Sequence, residues 1–225
     1  MIPLNDTEPN RYTKFPTVTI LLIVVNVLVF IGELVLLDQE KVMLYGSVPY
    51  FVINRLGGGA LASVTSTFLH AGWMHLFSNM SALWVFGRRV EDACGSGRFL
   101  VYYMTCGVTA DIFSTLVRTQ SMIPSIGASG AIFGLMGAYL LLYPYSRIRT
   151  MITLGFSLAF PKLRAYWIVF YFLLLQIVPA LTTLFGDSEY SVNHWAHLGG
   201  FFSAAFIFLF LRPEAFARYW SDTPV

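Results

Sequence analysis

The sequence has few charges, few cysteines and no basic run, and each shortage excludes a class of protein. Only 12% of its 225 residues are charged and 56% are hydrophobic, whereas about a quarter of a soluble domain is charged. The mean hydropathy of +0.66 also indicates a protein that crosses a membrane several times. Two cysteines, Cys94 and Cys106, cannot form a disulfide framework. A net charge of +2 without a basic run excludes nucleic acid as an expected partner.

Six apolar runs are long enough, or nearly long enough, to cross a bilayer. They cover residues 17–37, 68–87, 98–117, 129–143, 166–185 and 195–211. We expect each to be a helix, because the hydrocarbon core offers no water to unpaired backbone groups. The sequence therefore predicts an all-α membrane protein. Its parts are a short N-terminal segment (1–16), a six-helix core (17–211) and a short C-terminal tail (212–225).

Basic residues are unevenly divided between the segments that join these runs. Six crossings put both termini on one side, and the side richer in Lys and Arg is expected to be the inner one. With the termini inside, the inner segments contain Arg11, Lys14, Arg88, Arg89, Arg98, Arg147, Arg149, Lys162, Arg164, Arg212 and Arg218. The outer segments contain Lys41, Arg55 and Arg118. Both termini are therefore predicted to be cytoplasmic, and the inner segment 144–165 to form an interfacial hairpin anchored by its arginines.

Three polar side chains inside the runs fall at a similar depth. Polar groups in a membrane core are costly and therefore informative. Counted from the inner end of each run at about 1.5 Å per residue, Ser129 and His197 lie about 22 Å up and His75 about 20 Å. All three then lie below the outer surface of a hydrocarbon layer about 30 Å thick. A serine and two histidines at one level favour a common site.

Ser129 begins the fourth run and has two alternative roles. Serine at a helix start is commonly an N-cap, and taken alone Ser129 fits that role better than that of a nucleophile. However, the run that follows is short, so the polar segment 118–128 must dip into the membrane. Non-helical backbone at that depth is tolerated only if it is buried in protein or lines a wet cavity, and hydrolysis inside a membrane requires such a cavity.

Small residues allow a second helix to approach Ser129. The fourth run carries a glycine stripe: Gly130, Gly134 and Gly137. Such a stripe lets a neighbouring helix pack closely in a membrane. In the sixth run, His197 shares a face with Gly200 and Ala204, so this helix can close on the stripe and bring its imidazole towards Ser129. Phe133, four residues after the serine, could stack on that imidazole or simply pack in the core.

These residues together suit nucleophilic catalysis. A serine hydroxyl needs a base, and neutral histidine is the usual one near pH 7. The free N–H groups at a helix start favour an oxyanion. His75 and Asn79, four residues apart on one helix face, could add donors. Asp111 is interpreted as a hydrogen-bonded residue of the bundle rather than a triad acid. The residues therefore predict a Ser–His dyad.

Three stretches of the sequence resemble the signature segments of the rhomboid intramembrane serine proteases. They are TSTFLHAGWMHLFSNMSALWVFG, GASGAIFGLMGAYLL and HWAHLGGFFSA, and the resemblance extends over residues 17–211. It implies a six-helix rhomboid-like bundle and an endopeptidase that cleaves peptide bonds in or next to transmembrane segments through an acyl-enzyme. No cofactor or metal is expected. The expected partners are transmembrane protein substrates and membrane lipid, in a bacterial inner membrane with the site open to the outer face.

The resemblance also implies roles for individual residues. Ser129 would be the nucleophile and His197 its base, while His75, Asn79 and the backbone N–H of Ser129 would form the oxyanion hole. The supporting residues would be Gly127, Ala128, Phe133, Gly200 and Ala204. Gly127 and Ala128 would shape the turn before the nucleophile.

The sequence also departs from the family pattern. The stretch ALASVTST stands where relatives often have a Trp-Arg pair, and Phe133 keeps the ring but loses the hydroxyl of a frequent tyrosine. The gate would be formed by residues 166–185 and the outer loop 186–193, with Gln176 and Pro179 as its weak points. Of the other histidines, His70 is interpreted as structural or water-binding, and His194 as a loop residue.

Two alternative functions come from other classes. The first is a non-catalytic rhomboid-fold protein that binds or guides membrane clients. Such relatives have usually lost the serine or the histidine, and both are present here. The second is a small transporter that uses His75 and His197 as a proton relay, although the sequence has no inverted repeat or pair of broken helices to support it.

Overall fold

Helices make up most of the structure, a computed structural model that describes residues 1–7, 9–36, 39–56, 59–155, 157–185 and 192–220. In chain order they are α1 (Thr17–Leu36), α2 (Gln39–Tyr45), α3 (Pro49–Ile53), α4 (Gly59–Thr65), α5 (Trp73–Ala82), α6 (Arg88–Cys94), α7 (Ser96–Val117), α8 (Ser129–Leu142), α9 (Ala165–Phe185), α10 (His194–Phe202) and α11 (Pro213–Trp220). Shorter helical segments are the 3₁₀ turns Ser66–Phe68 and Ser203–Leu209 and the π-helical segment Leu83–Gly87. Residues 186–191 of the predicted gate loop and 221–225 of the predicted tail lie outside the described residues.

Several helices have the length and composition of membrane spans. Within the described residues, α1, α7 and the Ala165–Thr183 part of α9 are long and apolar enough to cross a bilayer. Two shorter apolar helical stretches, Ser129–Leu142 and His194–Leu209, accompany them. The chain is therefore an integral membrane protein, as predicted. Since the 14 residues of α8 reach only about 21 Å, the chain before α8 has to enter the fold.

That entering segment is paired with other backbone rather than left open. Ser125 and Ser47 exchange backbone hydrogen bonds of 2.7 and 3.1 Å, and the Gly127 N–H donates to the Ser66 carbonyl at 2.8 Å. These bonds satisfy backbone groups that could not face lipid unpaired. The backbone of this segment is therefore paired within the fold, although residues 123–127 are only half-buried.

The second predicted run, residues 68–87, is displaced along the chain. The helix α5 begins only at Trp73, with Gly72 as its N-cap, and glycine is among the residues that suit this position. It continues through the π-helical segment into α6, which ends at Cys94. As a result, His75 lies in the first turn of α5, close to the chain that leads into it.

A four-stranded antiparallel sheet accompanies the helices, so the expectation of an all-α fold is wrong in this respect. The strands are β1 (Ile2–Asp6), β2 (Arg147–Leu154), β3 (Ser157–Ala159) and β4 (Lys162–Arg164). The other three strands all pair with β2. Ile2 of β1 lies opposite Met151, Leu158 of β3 opposite Thr153, and Lys162 of β4 opposite Arg149. The predicted hairpin at 144–165 is therefore built from strands, and it holds the N-terminal segment as a further strand.

Two physical reasons explain why the sequence alone does not predict the sheet. In β2 the side chains alternate, so that Ile148 and Thr150 are buried while Arg147 and Arg149 are exposed. A period of two is the pattern of a strand, but basic residues among apolar ones are also the pattern of an interfacial segment. The partner strand β1 lies at the N-terminus, far from β2 in the sequence, and pairing over such a distance leaves no local signal.

Buried charges tie the N-terminal segment to α6. The Arg89 Nε donates to Asp6 Oδ2 at 2.6 Å, and the Tyr139 hydroxyl donates to the same oxygen at 2.6 Å. The Asp92 carboxylate accepts hydrogen bonds from the backbone N–H groups of residues 11–13. The segment before α1 is thus packed on the helical core rather than extended from it.

The helix α8 lies at the centre of the fold. Every residue from Gly130 to Tyr139 is buried. The glycine stripe faces small groups on two sides: a Cβ atom added to Gly134 would lie 2.7 Å from the Cys106 Cβ of α7 and 2.7 Å from the Ser203 hydroxyl oxygen. Helices can approach this closely only where side chains are small. The stripe therefore lets α7 and the chain after α10 enclose α8.

Candidate active site

Ser129 and His197, called the dyad below, lie side by side although they come from different helices. Ser129 is the first residue of α8, and His197 lies in the first turn of α10. The distance from Ser129 Oγ to His197 Nε2 is 2.7 Å, which is within reach for proton transfer. His197 is buried, with 8% of its surface exposed. The two side chains therefore have the geometry of a nucleophile and its base.

The helices that carry the dyad come together because glycines face each other. A Cβ atom at Gly200 would overlap the carbonyl oxygen of Gly130, so no larger residue fits there. Further along, a Cβ atom at Gly137 would lie 2.6 Å from the Cβ of Ala204. The predicted supporting residues Gly200 and Ala204 thus lie in the contact between α8 and the chain of α10. This contact sets the separation of the dyad.

Phe133 lies against the face of the His197 imidazole. The two ring centroids are 4.4 Å apart and the ring planes differ by only 11°. Phe133 is itself buried, with 7% of its surface exposed. The sequence left stacking and plain packing open, and the structure places the phenyl ring in a stack. A ring held there restricts rotation of the imidazole out of its plane.

Gln176, on α9, is a polar neighbour of the dyad that the sequence reasoning assigned to the gate instead. Its Oε1 lies 2.7 Å from His197 Nδ1 and 2.7 Å from His194 Nδ1. His194 is the first residue of α10 and its ring contacts Gln176, so its interpretation as a loop residue is wrong. An intramembrane glutamine was the available signal, but the sequence could not show which way it faces.

Gly127 forms a turn directly before α8, and two predicted residues from α5 meet the chain there. Its φ is +120°, a conformation that favours glycine. A Cβ atom at this position would lie 2.8 Å from His75 Cε1 and 3.6 Å from Asn79 Nδ2. Ala128, the other predicted turn residue, is fully buried. The turn is therefore narrow because the side chains of α5 occupy the space beside it.

The groups beside this turn present N–H donors. The Ala71 N–H donates to His75 Nδ1 at 3.3 Å, so a neutral His75 ring carries its proton on Nε2. The Asn79 Nδ2 atom is buried and has no hydrogen-bond partner among the described residues. The first N–H groups of α8, starting with Ser129, have no intrahelical acceptor. The His75 and Asn79 donors lie beside the turn that leads into Ser129.

A cavity of about 600 Å³ opens beside the dyad. Ser129, His197, His75 and Asn79 all line it, and it extends past Met136 to the N-terminal strand. A space of this size holds several water molecules or an extended stretch of peptide.

The described residues contain no group of three or more His, Cys, Asp or Glu side chains that is placed to bind a metal ion.

Two other polar residues singled out from the sequence have structural contacts. The Ser63 hydroxyl donates to Asp111 Oδ2 at 2.5 Å, which fits the interpretation of Asp111 as a hydrogen-bonded bundle residue. The His70 N–H donates to the Glu33 carboxylate at 3.0 Å, and its ring Nδ1 lies 3.2 Å from the Phe68 carbonyl oxygen. Neither residue contacts the dyad through these bonds.

Comparison with known proteins gives a consistent result. The sequence model described as "Rhomboid domain" matches residues 58–214. Rhomboid protease GluP of Bacillus subtilis is 31% identical over 200 residues, which is 84% of this chain and 34% of that protein. Rhomboid protein 1, mitochondrial, of Saccharomyces cerevisiae is 31% identical over 144 residues, or 62% of this chain and 38% of that protein.

A third relative has a name that denies activity. Inactive RHOMBOID-like protein 8 of Arabidopsis thaliana is 31% identical over 140 residues, 62% of this chain and 35% of that protein. The chain thus spans between a third and two fifths of the length of these three curated relatives. Membership of the family is nevertheless established by the match over residues 58–214. The chain belongs to the rhomboid family of integral membrane proteins.

Proposed function

We propose that the protein is an intramembrane serine endopeptidase that cleaves peptide bonds in or next to the transmembrane segments of membrane proteins. The observation that carries this proposal is the 2.7 Å distance between Ser129 Oγ and His197 Nε2, beside a cavity within an apolar helical bundle. A rhomboid relative that is named a protease supports the same activity. No cofactor or metal ion is needed for this chemistry.

In the first half of the reaction, His197 Nε2 takes the hydroxyl proton as Ser129 Oγ attacks the carbonyl carbon of the substrate. The carbonyl oxygen becomes an oxyanion beside the N–H groups of Ser129, His75 and Asn79. Loss of one such donor typically lowers kcat by about 10²–10³-fold. The intermediate then breaks the C–N bond, and the departing amine takes the proton from His197. The other half of the substrate remains as an ester on Ser129.

The second half repeats these steps with water. His197 removes a proton from a water molecule that attacks the ester carbonyl carbon, and a second oxyanion forms at the same donors. Its collapse breaks the bond to Ser129 Oγ, which recovers a proton from His197, and releases a carboxylic acid that ionises. The cavity of about 600 Å³ supports this step because it gives water a place beside the dyad.

The membrane arrangement that suits this function has six spans and cytoplasmic termini. Basic residues on one side support this orientation, and Ser129 would then lie near the outer face. We place the protein in a bacterial inner membrane with its site open to the outside. Its partners would be transmembrane protein substrates and the surrounding lipid.

The proposal is tested by cleavage of a model transmembrane substrate in proteoliposomes. Ser129→Ala and His197→Ala should each abolish cleavage while thermal unfolding in detergent stays close to that of the wild type. A fluorophosphonate probe should label the wild type and not Ser129→Ala. Ser157→Ala, which changes an exposed serine of β3, is the matched control and should cleave normally. Full cleavage by Ser129→Ala would rule the proposal out.

The relative named inactive favours one alternative, a rhomboid protein that binds membrane clients without cleaving them. Under this alternative the wild type would retain a bound transmembrane substrate without product, and the fluorophosphonate probe would not react. Cleavage that depends on Ser129 would exclude it.

A further inference from the structure

Gln176 joins a third helix to the dyad through buried contacts. It lies on α9 and is buried, with 7% of its surface exposed. Its Oε1 lies 2.7 Å from the Nδ1 atoms of both His197 and His194. One amide oxygen thus meets two imidazole rings of α10, and an oxygen with two lone pairs can accept from both.

The orientation of this amide follows from its other end. The Gln176 Nε2 donates to the carbonyl oxygen of Phe172 at 3.0 Å. A carbonyl oxygen can only accept a hydrogen bond, so the atom facing it must be the NH₂ group. The atom that faces the two histidines must then be Oε1, which can itself only accept. Both rings therefore have to present an N–H group at Nδ1.

This requirement selects the tautomer of His197. A neutral imidazole carries one proton, so a proton on Nδ1 leaves Nε2 with a lone pair. Nε2 is the atom that lies 2.7 Å from Ser129 Oγ. In the other tautomer Nε2 would carry the proton, and the ring could not take one from the serine. His75 has the opposite constraint, because the Ala71 N–H occupies its Nδ1.

We propose that Gln176 is the positioning residue of the reaction: it holds His197 as the Nδ1–H tautomer, in the place where a triad would have an acid. This inference rests on the proposed protease function. The nearby buried acid Asp111 is hydrogen-bonded to Ser63 instead. A neutral amide supplies the acceptor without the cost of burying a carboxylate beside the imidazole. Because Gln176 comes from α9, the base is ready only when α9 is in its place.

The first test is a substitution series at Gln176, measured as cleavage of a model transmembrane substrate in proteoliposomes. Gln176→Leu removes the acceptor at similar volume and should lower kcat at least about 30-fold, with KM within about twofold; a wrong tautomer can cost up to about 10⁴-fold. Gln176→Glu keeps an acceptor oxygen that can hold the Nδ1–H tautomer of His197. This variant should therefore have a kcat within about fivefold of the wild type.

The matched control is Gln120→Leu, which makes the same change at an exposed glutamine away from the site and should leave kcat unchanged. If Gln176→Leu does not fold, Gln176→Met replaces it with the same expected loss. A wild-type kcat in the folded Leu or Met variant would overturn the positioning role. Equal losses in the Leu and Glu variants would also overturn it, because the acceptor would then not matter.

The second test observes the tautomer directly. The chain has four histidines, so ¹⁵N-histidine NMR spectra can be assigned with single His→Asn variants. In the wild type, His197 should carry its proton on Nδ1, and in Gln176→Leu a signal from the Nε2–H tautomer should appear. An unchanged tautomer in that variant would contradict the inference. Cleavage by Ser129→Ala would instead contradict the proposed function, so the two failures can be told apart.

Discussion

At the scale of single residues, the plane of the base is held by an aromatic ring. Phe133 lies parallel to the His197 imidazole at 4.4 Å, and an aromatic pair of this kind contributes about 0.5–1.5 kcal/mol. Phe133→Leu should therefore lower kcat/KM by up to about tenfold, because the imidazole gains freedom to rotate. Phe133→Tyr keeps the ring and should stay within about threefold of the wild type.

Steady-state cleavage of a transmembrane substrate measures both values. Phe160→Leu makes the same change on the exposed hairpin and serves as the control for general effects of losing a phenyl ring. A leucine variant at position 133 that keeps the full wild-type kcat/KM would show that the stack has no part in catalysis.

A second residue-scale prediction concerns Gly200, which sets how closely α10 approaches α8. A methyl group there would overlap the carbonyl oxygen of Gly130, so Gly200→Ala should push the helices apart. Overpacking of this kind costs about 1–3 kcal/mol of stability. A shift of about 1 Å in the dyad can lower activity about 100-fold, and this loss is expected even where the protein remains folded.

Thermal unfolding in detergent and the cleavage assay report these two effects separately. The control is Gly32→Ala in α1, where an added Cβ would meet no atom within 4 Å. That variant should be as active as the wild type and no less stable, since alanine is the better helix former by about 1 kcal/mol. Wild-type activity in Gly200→Ala would mean that the close approach is not required.

The residues that sequence reasoning could place are those whose evidence is local. The helical spacing of His75 and Asn79, and the depths of Ser129 and His197, depend only on distance along the chain. The contact of Gln176 could not be predicted, because it depends on how α9 is rotated relative to α10. The same limit applies to His194, whose position at the start of α10 places its ring beside Gln176.

At the scale of elements, the start of α1 is capped by an acid from another helix. The buried Glu91 carboxylate of α6 accepts from the Val18 N–H at 3.0 Å, and from the Thr19 N–H at 2.8 Å and its hydroxyl at 2.7 Å. Glu91→Ala would leave the two buried Thr19 donors and the half-buried Val18 N–H unpaired, at about 1–3 kcal/mol for each buried group. We therefore expect a loss of at least about 2 kcal/mol in the free energy of unfolding.

Equilibrium unfolding of the purified protein in detergent measures this loss. Glu214→Ala, which removes an exposed glutamate in the first turn of α11, is the matched control and should change stability by less than about 0.5 kcal/mol. If both variants have the same free energy of unfolding, the contact between α6 and α1 does not stabilise the fold.

Elements differ in how far the sequence determines them. Apolar runs located α1, α7, α8 and α9 because burial in lipid requires a continuous apolar surface. The start of α5 was misplaced, since Phe68 and Leu69 are apolar but precede the helix. Within the sheet, the pairing of β1 with β2 joins the N-terminus to a strand far away in the sequence, and no local pattern predicts such a pairing.

At the scale of the whole molecule, the orientation in the membrane is a prediction from the distribution of charge, and it can be tested at two exposed positions. Met122 lies between α7 and α8 with 49% of its surface exposed, and Ser157 is exposed on β3. With cytoplasmic termini, Met122→Cys should react with a membrane-impermeant maleimide in intact cells, whereas Ser157→Cys should react only after the membrane is permeabilised.

The native cysteines give little background in this experiment. Cys94 and Cys106 are both buried, so the maleimide has little access to either thiol. Labelling of Ser157→Cys in intact cells would show that the protein has the opposite orientation, with its termini outside. The segment that contains Met122 leads directly into Ser129, so the labelled side is also the side of the membrane on which α8 begins. Reversal would therefore move the predicted site of cleavage to the inner end of the substrate.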